Sequence, residues 1–225
     1  MRIVDDQAFI RPERPMLQPL GDSAILVRFR SRLEEAANRR VIAFTNILAE
    51  TPISGVIEVA PSLVAVLLRY DPLVTRHADI EGEIRLRINI AAAEPQAHSH
   101  TIPVVFGGDF GPGLANVAGL LGMSEETFIA RHNASPLRVL ATGFAPGFVY
   151  CGFHPPDMIL PRRDNVRASV PAGSVLFAAG QTAIAATDIP TGWQVIGRTS
   201  FRNFVPAADP PTILRAGDQI RFEAG

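Results

Sequence analysis

Several groups of residues in this 225-residue chain are of types that do chemistry. Arg162, Arg163 and Arg167 crowd one short stretch read as a loop, and Arg198 sits in Gly197-Arg198-Thr199. Guanidinium groups that converge on a cavity hold a carboxylate or phosphate through paired hydrogen bonds. Arginines that stay apart are ordinary surface residues, and spacing alone leaves both readings open. His132 has a side chain that titrates near neutrality, which makes it a candidate acid or base. It also ends a helical pattern, where a histidine serves equally well as a cap. In Gly143-Phe144-Ala145-Pro146-Gly147-Phe148, Pro146-Gly147 suits the centre of a type II turn. The flanking Phe144 and Phe148 then form either a pocket wall or a packed corner. Gly180-Gln181-Thr182 reads as a tight hairpin turn, its amide and hydroxyl turned to a ligand or used up by the turn itself.

Other patterns narrow the field. Gly107 to Gly113 is glycine-rich, but no Gly-Lys-Ser/Thr follows it and no βαβ unit surrounds it, so it reads as a turn leading into a helix. His98 and His100 are too few for a three-histidine site, and no metal site is expected. Cys151 is the single cysteine, so an internal disulfide is impossible. His154 follows it closely, yet spacing does not pair thiol with imidazole, and a buried inert thiol is the plainer reading. Lys and Arg number 21 against 22 Asp and Glu, a balance that argues against a general nucleic-acid or membrane-surface role. No stretch approaches the roughly 20 apolar residues of a membrane span. The N-terminus carries Arg2, Asp5 and Asp6 where a signal peptide would need an apolar run. A soluble, cytoplasmic protein is expected.

The elements that must position these residues fall into two halves. Residues 1–16 read as an exposed arm broken by Pro12 and Pro15. Residues 17–93 follow a β-α-β-β-α order. A strand runs from Ser23 to Phe29. A helix follows whose Leu33, Ala37, Val41, Phe44 and Leu48 recur at helical spacing. Strands at Val56–Val59 and Leu63–Tyr70 come next, then a helix marked by Ile80, Ile84 and Ile88. That order predicts a small α+β sandwich with both helices on one face of a sheet. Residues 94–100 are polar and read as a linker. Residues 101–225 open with a strand at Thr101–Phe106 and helices near Leu114–Leu121 and Glu125–His132. Ser124 is the natural N-cap of the latter, with Glu125 and Glu126 in its first turn and Arg131 and His132 in its last. Short apolar strands then alternate with Gly/Pro turns, at Arg138–Thr142, Ser174–Ala179, Ala183–Thr187, Trp193–Ile196 and Gln219–Phe222. This pattern predicts a closed β-barrel.

The run Gly143 to Tyr150 resembles the signature of the allophanate hydrolase subunit 1 family, the B-type subunits of the carboxyltransferase domain. So do Pro161-Arg162, Val170-Pro171-Ala172-Gly173-Ser174-Val175, Gly180-Gln181-Thr182, Gly192-Trp193 and Ile196-Gly197-Arg198-Thr199, in that order. Gly21-Asp22-Ser23-Ala24, the Pro61 to Pro72 stretch and His100-Thr101-Ile102-Pro103-Val104 are similar as well. The likeness spans residues 17–225. The family includes the B subunit of 5-oxoprolinase and the sporulation-kinase inhibitor. The resemblance implies a small α/β N-terminal domain followed by a cyclophilin-like β-barrel. It implies one subunit of an ATP-dependent hydrolase acting on a small cyclic amide, paired with a subunit 2 homologue and inactive alone. The alternative is a regulatory binding protein that inhibits a histidine kinase. For the enzyme, Arg162, Arg167 and Arg198 would clamp an anion, His132 would be the base, and Phe144, Pro146, Gly147 and Phe148 would form the wall. Gln181, Thr182 and Trp193 complete the expected substrate site. ATP would bind this chain or be shared with its partner. Val166, Ala185 and Thr191 stand where the family usually has Pro, Tyr and Gly.

Overall fold

The computed structural model describes residues 14–90 and 97–225. The chain divides into two compact units, Met1–Ala92 and Ala93–Gly225. Most of the expected arm lies outside the described residues, as do residues 94–96 of the expected linker.

In the first unit, β1 (Met16–Leu20), β2 (Ala24–Arg28), β3 (Val56–Pro61) and β4 (Ala65–Tyr70) form an antiparallel sheet in the order β1-β2-β4-β3. Helices α1 (Glu35–Glu50) and α2 (His77–Arg87) supply the rest of the core. The periodicity explains the packing. Val41, Phe44 and Leu48 of α1 and Ile80 and Ile84 of α2 are buried together with alternate strand residues: Ile25 and Val27 of β2, and Val66, Leu68 and Tyr70 of β4. Tyr70 donates its hydroxyl hydrogen to the carbonyl of Asp22 at 2.8 Å, which ties the end of β4 to the Gly21-Asp22 turn. Strand β1 is additional to the expected elements, and its first residue falls in the expected arm. It is an edge strand containing Pro19, whose place in a ladder is tolerated there.

The second unit is a closed seven-stranded barrel that fits the cyclophilin-like architecture. Its strands are β5 (Ser99–Phe106), β6 (Leu137–Thr142), β7 (Val149–Gly152), β9 (Ser174–Ala178), β10 (Gln181–Ile184), β12 (Gln194–Arg198) and β13 (Gln219–Ala224). Around the ring they run β10-β7-β6-β13-β5-β12-β9. The β13–β5 pair is parallel, and the other barrel pairs are antiparallel. A ribbon of β8 (Arg167–Val170) and β11 (Ile189–Thr191) lies outside this ring, and α3 (Leu114–Leu120) and α4 (Glu125–His132) complete the unit.

All seven barrel strands contribute to one core cluster, which is therefore the barrel interior, and α3 and α4 add Leu114, Val117 and Phe128 to it. Alternate residues turn the other way. Val175, Phe177 and Ile184 are interior, whereas Leu176, Ala178, Ala183 and Ala185 join a second cluster with Val170 and Ile189 of the ribbon. Ser124 caps α4 as expected, accepting a hydrogen bond from the Thr127 amide at 3.2 Å.

The fold corrects the local structure expected around two site residues. Ala179 and Gly180, with φ of 52° and 69°, make the two-residue hairpin turn, so Gln181 and Thr182 belong to β10 and not to the turn. Arg167 opens β8 and is not a loop residue. Strand β5 also begins at Ser99, inside the stretch expected as linker.

Candidate functional site

A cavity of about 570 Å³ opens in the barrel unit. One wall begins where β12 ends at Arg198 and continues through Thr199, Ser200, Phe201, Arg202 and Phe204. Val105 of β5 and Phe110 face it, and the Ala172-Gly173 turn and Ala186 close it. Among the described residues that line the cavity there is no Asp or Glu. The guanidinium groups of Arg198 and Arg202 are neither hydrogen-bonded nor ion-paired to a described residue. The cavity therefore combines two uncompensated positive charges, two hydroxyl side chains and an aromatic lining.

Glycine makes two close approaches behind these walls. Gly147 occupies the expected type II turn at φ 68°, and Phe148 N donates to Ala145 O at 3.1 Å. A Cβ on Gly147 would lie 2.5 Å from Phe204 Cβ and 2.9 Å from Ala186 Cβ. The Pro146-Gly147 turn thus presses directly on two lining residues. At Gly173, with φ 84°, a Cβ would lie 2.3 Å from Thr199 O, so only a bare backbone can stand against the start of the arginine loop. Asn203 fixes that loop from beneath. Its side-chain amide donates to Gly147 O at 2.9 Å, and its Oδ1 accepts from Leu214 N at 2.8 Å and Ile213 N at 3.2 Å.

The glycine-rich segment from Gly107 to Gly113 is anchored through three of its amides. Gly107 N donates to Ile196 O at 3.1 Å, Gly111 N to Gly107 O at 2.7 Å and Gly113 N to Val195 O at 2.8 Å. Gly107 and Gly113 bond β12 and Gly111 bonds within the segment, so these three amides are not free for a nucleotide. The segment leads into α3, as read from sequence, and carries Phe110 to the cavity.

The other expected site residues lie elsewhere. Phe144, Phe148, Tyr150 and Trp193 form a chain of edge-on rings with centroids 5.5, 4.8 and 6.0 Å apart. The guanidinium of Arg162 lies over the Trp193 ring at 5.6 Å, where the ring face attracts it. Burial raises the Tyr150 hydroxyl pKa, and the charge of Arg162 offsets part of that rise. Arg162 does not line the cavity of Arg198, so the structure does not bring these two arginines into one pocket. Arg167 pairs with Thr191 across the ribbon, and its Nε is buried without a partner. Phe144 is 69% exposed at φ 76°, a conformation that costs a bulky residue energy.

His132 is corrected from candidate base to core residue. It is 1% exposed and ringed by Phe106, Phe128 and Phe222. Its Nε2 and that of His154 each lie 2.8 Å from the hydroxyl oxygen of Thr182, and the two rings are 4.9 Å apart. One hydroxyl carries one proton, so one imidazole accepts and the other donates. One assignment satisfies every contact: His132 Nδ1 donates to Asn133 Oδ1 at 2.7 Å, and Thr182 donates to His132 Nε2. His154 Nε2 then donates to Thr182. Burial pushes His132 down to about 4. Burial, and then the charge of His132, pushes His154 down to about 3. Thr182 is thereby spent in the core. Gln181 is 4% exposed and its Nε2 has no partner. Cys151 is fully buried, and burial raises its thiol far above the usual range, which leaves it inert.

The residues at which the sequence departs from the family pattern have visible roles. Ala185 is buried in the second cluster, not at the cavity, where its neighbour Ala186 stands. Thr191 accepts from Trp193 N at 3.0 Å, and Val166 is exposed. Arg202, Asn203 and Phe204 are site residues that the sequence did not single out. The signal available was an arginine and an asparagine between phenylalanines, close behind Gly197-Arg198-Thr199.

Residues 15–214 match the family model described as carboxyltransferase domain, subdomain C and D. The chain is 35% identical to the B subunit of 5-oxoprolinase from Bacillus subtilis, covering 93% of this chain and 92% of the relative. It is 37% identical to the B subunit of 5-oxoprolinase from Escherichia coli O157:H7, covering 90% and 93%. Among solved structures, the crystal structure of TTHA0988 is 31% identical with a TM-score of 0.79, covering 93% of this chain. This chain spans 40% of the length of that one.

Proposed function

Since the chain belongs to the family of carboxyltransferase-domain proteins, subdomains C and D, we propose that it is one subunit of an ATP-dependent hydrolase that opens 5-oxoproline or a related small cyclic amide. The observation that carries this reading is the near end-to-end match to proteins named as the B subunit of 5-oxoprolinase. The cavity supports it. A cyclic amide bearing a carboxylate needs a cation for the carboxylate and apolar walls for the ring, and Arg198 with Phe110, Phe201 and Phe204 supplies both.

ATP would supply the phosphoryl group that activates the amide oxygen. The glycine-rich segment here lacks the Gly-Lys-Ser/Thr of a P-loop, and three of its amides are already bonded. We therefore assign ATP binding to the assembled complex with a subunit 2 homologue. His132 is withdrawn as base because the cavity does not reach it. The base that activates water is assigned to the partner. A chain that leaves the base and the nucleotide to its partner would turn over nothing alone.

The test is to measure ATP and 5-oxoproline consumption by this chain, by its subunit 2 homologue, and by the two mixed with any further subunit the complex requires. Turnover is expected in the mixture and not in this chain alone. Full activity of the lone chain would overturn the half-enzyme reading. A mixture that neither associates nor consumes a small cyclic amide would favour the regulatory binding protein.

A further inference from the structure

We propose that Arg198 and Arg202 form a two-guanidinium clamp for the oxyanion group of a small ligand, and that this chain binds such a ligand before any partner arrives. The ligand class rests on the hydrolase reading above; the existence of the clamp does not.

Both guanidinium groups lack a described partner, whereas many other arginines in the described residues are paired with Asp or Glu: Arg69 with Glu58, Arg76 with Asp79, Arg131 with Asp157. The cavity wall carries no carboxylate to neutralise them. Arg202 is exposed and Arg198 partly so, which leaves both open to an anion from solvent. The loop is also built to be stiff. Asn203, 1% exposed, follows Arg202 directly and ties it to the Gly147 turn and to residues 213–214. On the other side, Thr199 N donates to Gly173 O at 2.9 Å. A loop pinned at both ends loses little entropy on binding, which is the condition for a preformed site.

The lining also limits the ligand. Ser200 and Thr199 offer hydroxyls beside the cations, and Thr199 Oγ1 already accepts from Phe201 N at 3.1 Å. Phe110, Phe201 and Phe204 leave the remainder of the cavity apolar. With no carboxylate present, no charged group in the wall would pair with an ammonium group. The clamp therefore favours an anion whose remaining body is neutral. 5-Oxoprolinate meets this description. Its ring-opened form, glutamate, carries an ammonium group and does not. Arg202 is thus a binding residue of the proposed clamp, and the preference for the closed ring comes from the lack of an acidic group in the wall.

The experiment is titration calorimetry on the full chain without partner, using 5-oxoprolinate, L-glutamate and inorganic phosphate as separate ligands. Saturable binding of 5-oxoprolinate is expected, tighter than glutamate. Phosphate binding of equal strength would reduce the site to a general oxyanion clamp and overturn the selectivity. Arg198→Gln and Arg202→Gln should each weaken 5-oxoprolinate binding by about tenfold or more, the loss expected for one charge-assisted hydrogen bond. Arg221→Gln, on the exposed side of β13, should leave it unchanged. Circular dichroism and the unfolding midpoint establish that each variant is folded. No saturable binding by the folded wild-type chain would overturn the clamp, as would binding that survives the double variant. Such failures concern this cavity only. Failure of the hydrolase reading shows separately, as absent turnover in the mixture despite intact binding.

Discussion

The Thr182 hydroxyl joins two imidazoles, donating to His132 and accepting from His154. Both histidines are held below their ordinary value of about 6.5, at about 4 for His132 and about 3 for His154. The unfolded chain therefore binds more protons than the folded one below pH about 6.5. The stability this cluster contributes is complete above that pH. It is lost as the pH falls toward the folded values, with a slope of up to about 1.4 kcal/mol per pH unit for each histidine. Denaturant unfolding of the wild type between pH 7 and pH 4.5 should show this loss. His154→Gln keeps an amide donor for Thr182 and removes one titrating group. Its stability should fall with a visibly shallower slope, and equal slopes would show that His154 is not held neutral. The same residue scale explains why His132 is misread in sequence. A histidine at a helix end looks like a cap or a base in one dimension. Only the fold shows Phe106, Phe128 and Phe222 closing around it.

At the scale of elements, the loop from Thr199 to Phe204 owes its shape to one side chain. Asn203→Ala would leave Gly147 O and Leu214 N without their partner, while Ile213 N keeps its bond to the Asn203 backbone carbonyl. A loss of about 2–4 kcal/mol is expected from unpaired buried groups, read as a lowered denaturant midpoint. Ligand affinity should fall with it, since Arg202 is the preceding residue. An unchanged midpoint would mean that the loop is held some other way. Elements whose determinants are local are legible from sequence. Helix α4 carries its cap at Ser124 and its dipole charges within its own turns, and its observed bounds agree. The Pro146-Gly147 turn is equally local. Strands β7, β8 and β11 are not legible, because each is very short and gains its identity from pairing. Residues 167 and 191 meet only because the ribbon folds back. The candidate site divides along the same line. Arg198 and Gly147 lie in motifs. Arg202 acquires its meaning from Asn203, whose bond to Gly147 joins segments remote in sequence. Arg162 sits in a motif as well, but its partner is Trp193 and not the cavity.

On the scale of the whole molecule, each unit has a core of its own: residues 25–84 supply one, and residues 102–222 supply the barrel interior. Every strand pair of the ring closes within Ser99–Ala224. A fragment spanning 97–225 is therefore expected to fold without the first unit, to unfold cooperatively in denaturant, and to keep the affinity of the cavity for 5-oxoprolinate. A fragment that shows no cooperative transition would refute this independence. Among the described residues, no helix is long and apolar enough to cross a membrane. The ring also has an order of assembly written into it. Strand β13 stands between β5 and β6, parallel to the former and antiparallel to the latter, yet it is the last of the seven in sequence. During translation, β5 and β6 leave the ribosome with the place between them vacant. Their facing edges expose unpaired amides and carbonyls until residues 219–224 emerge. Closure is thus a late, long-range event, and contacts of that kind form slowly. A nascent chain stalled before β13 would be a natural client for a holding chaperone, and a message truncated there would yield an aggregate.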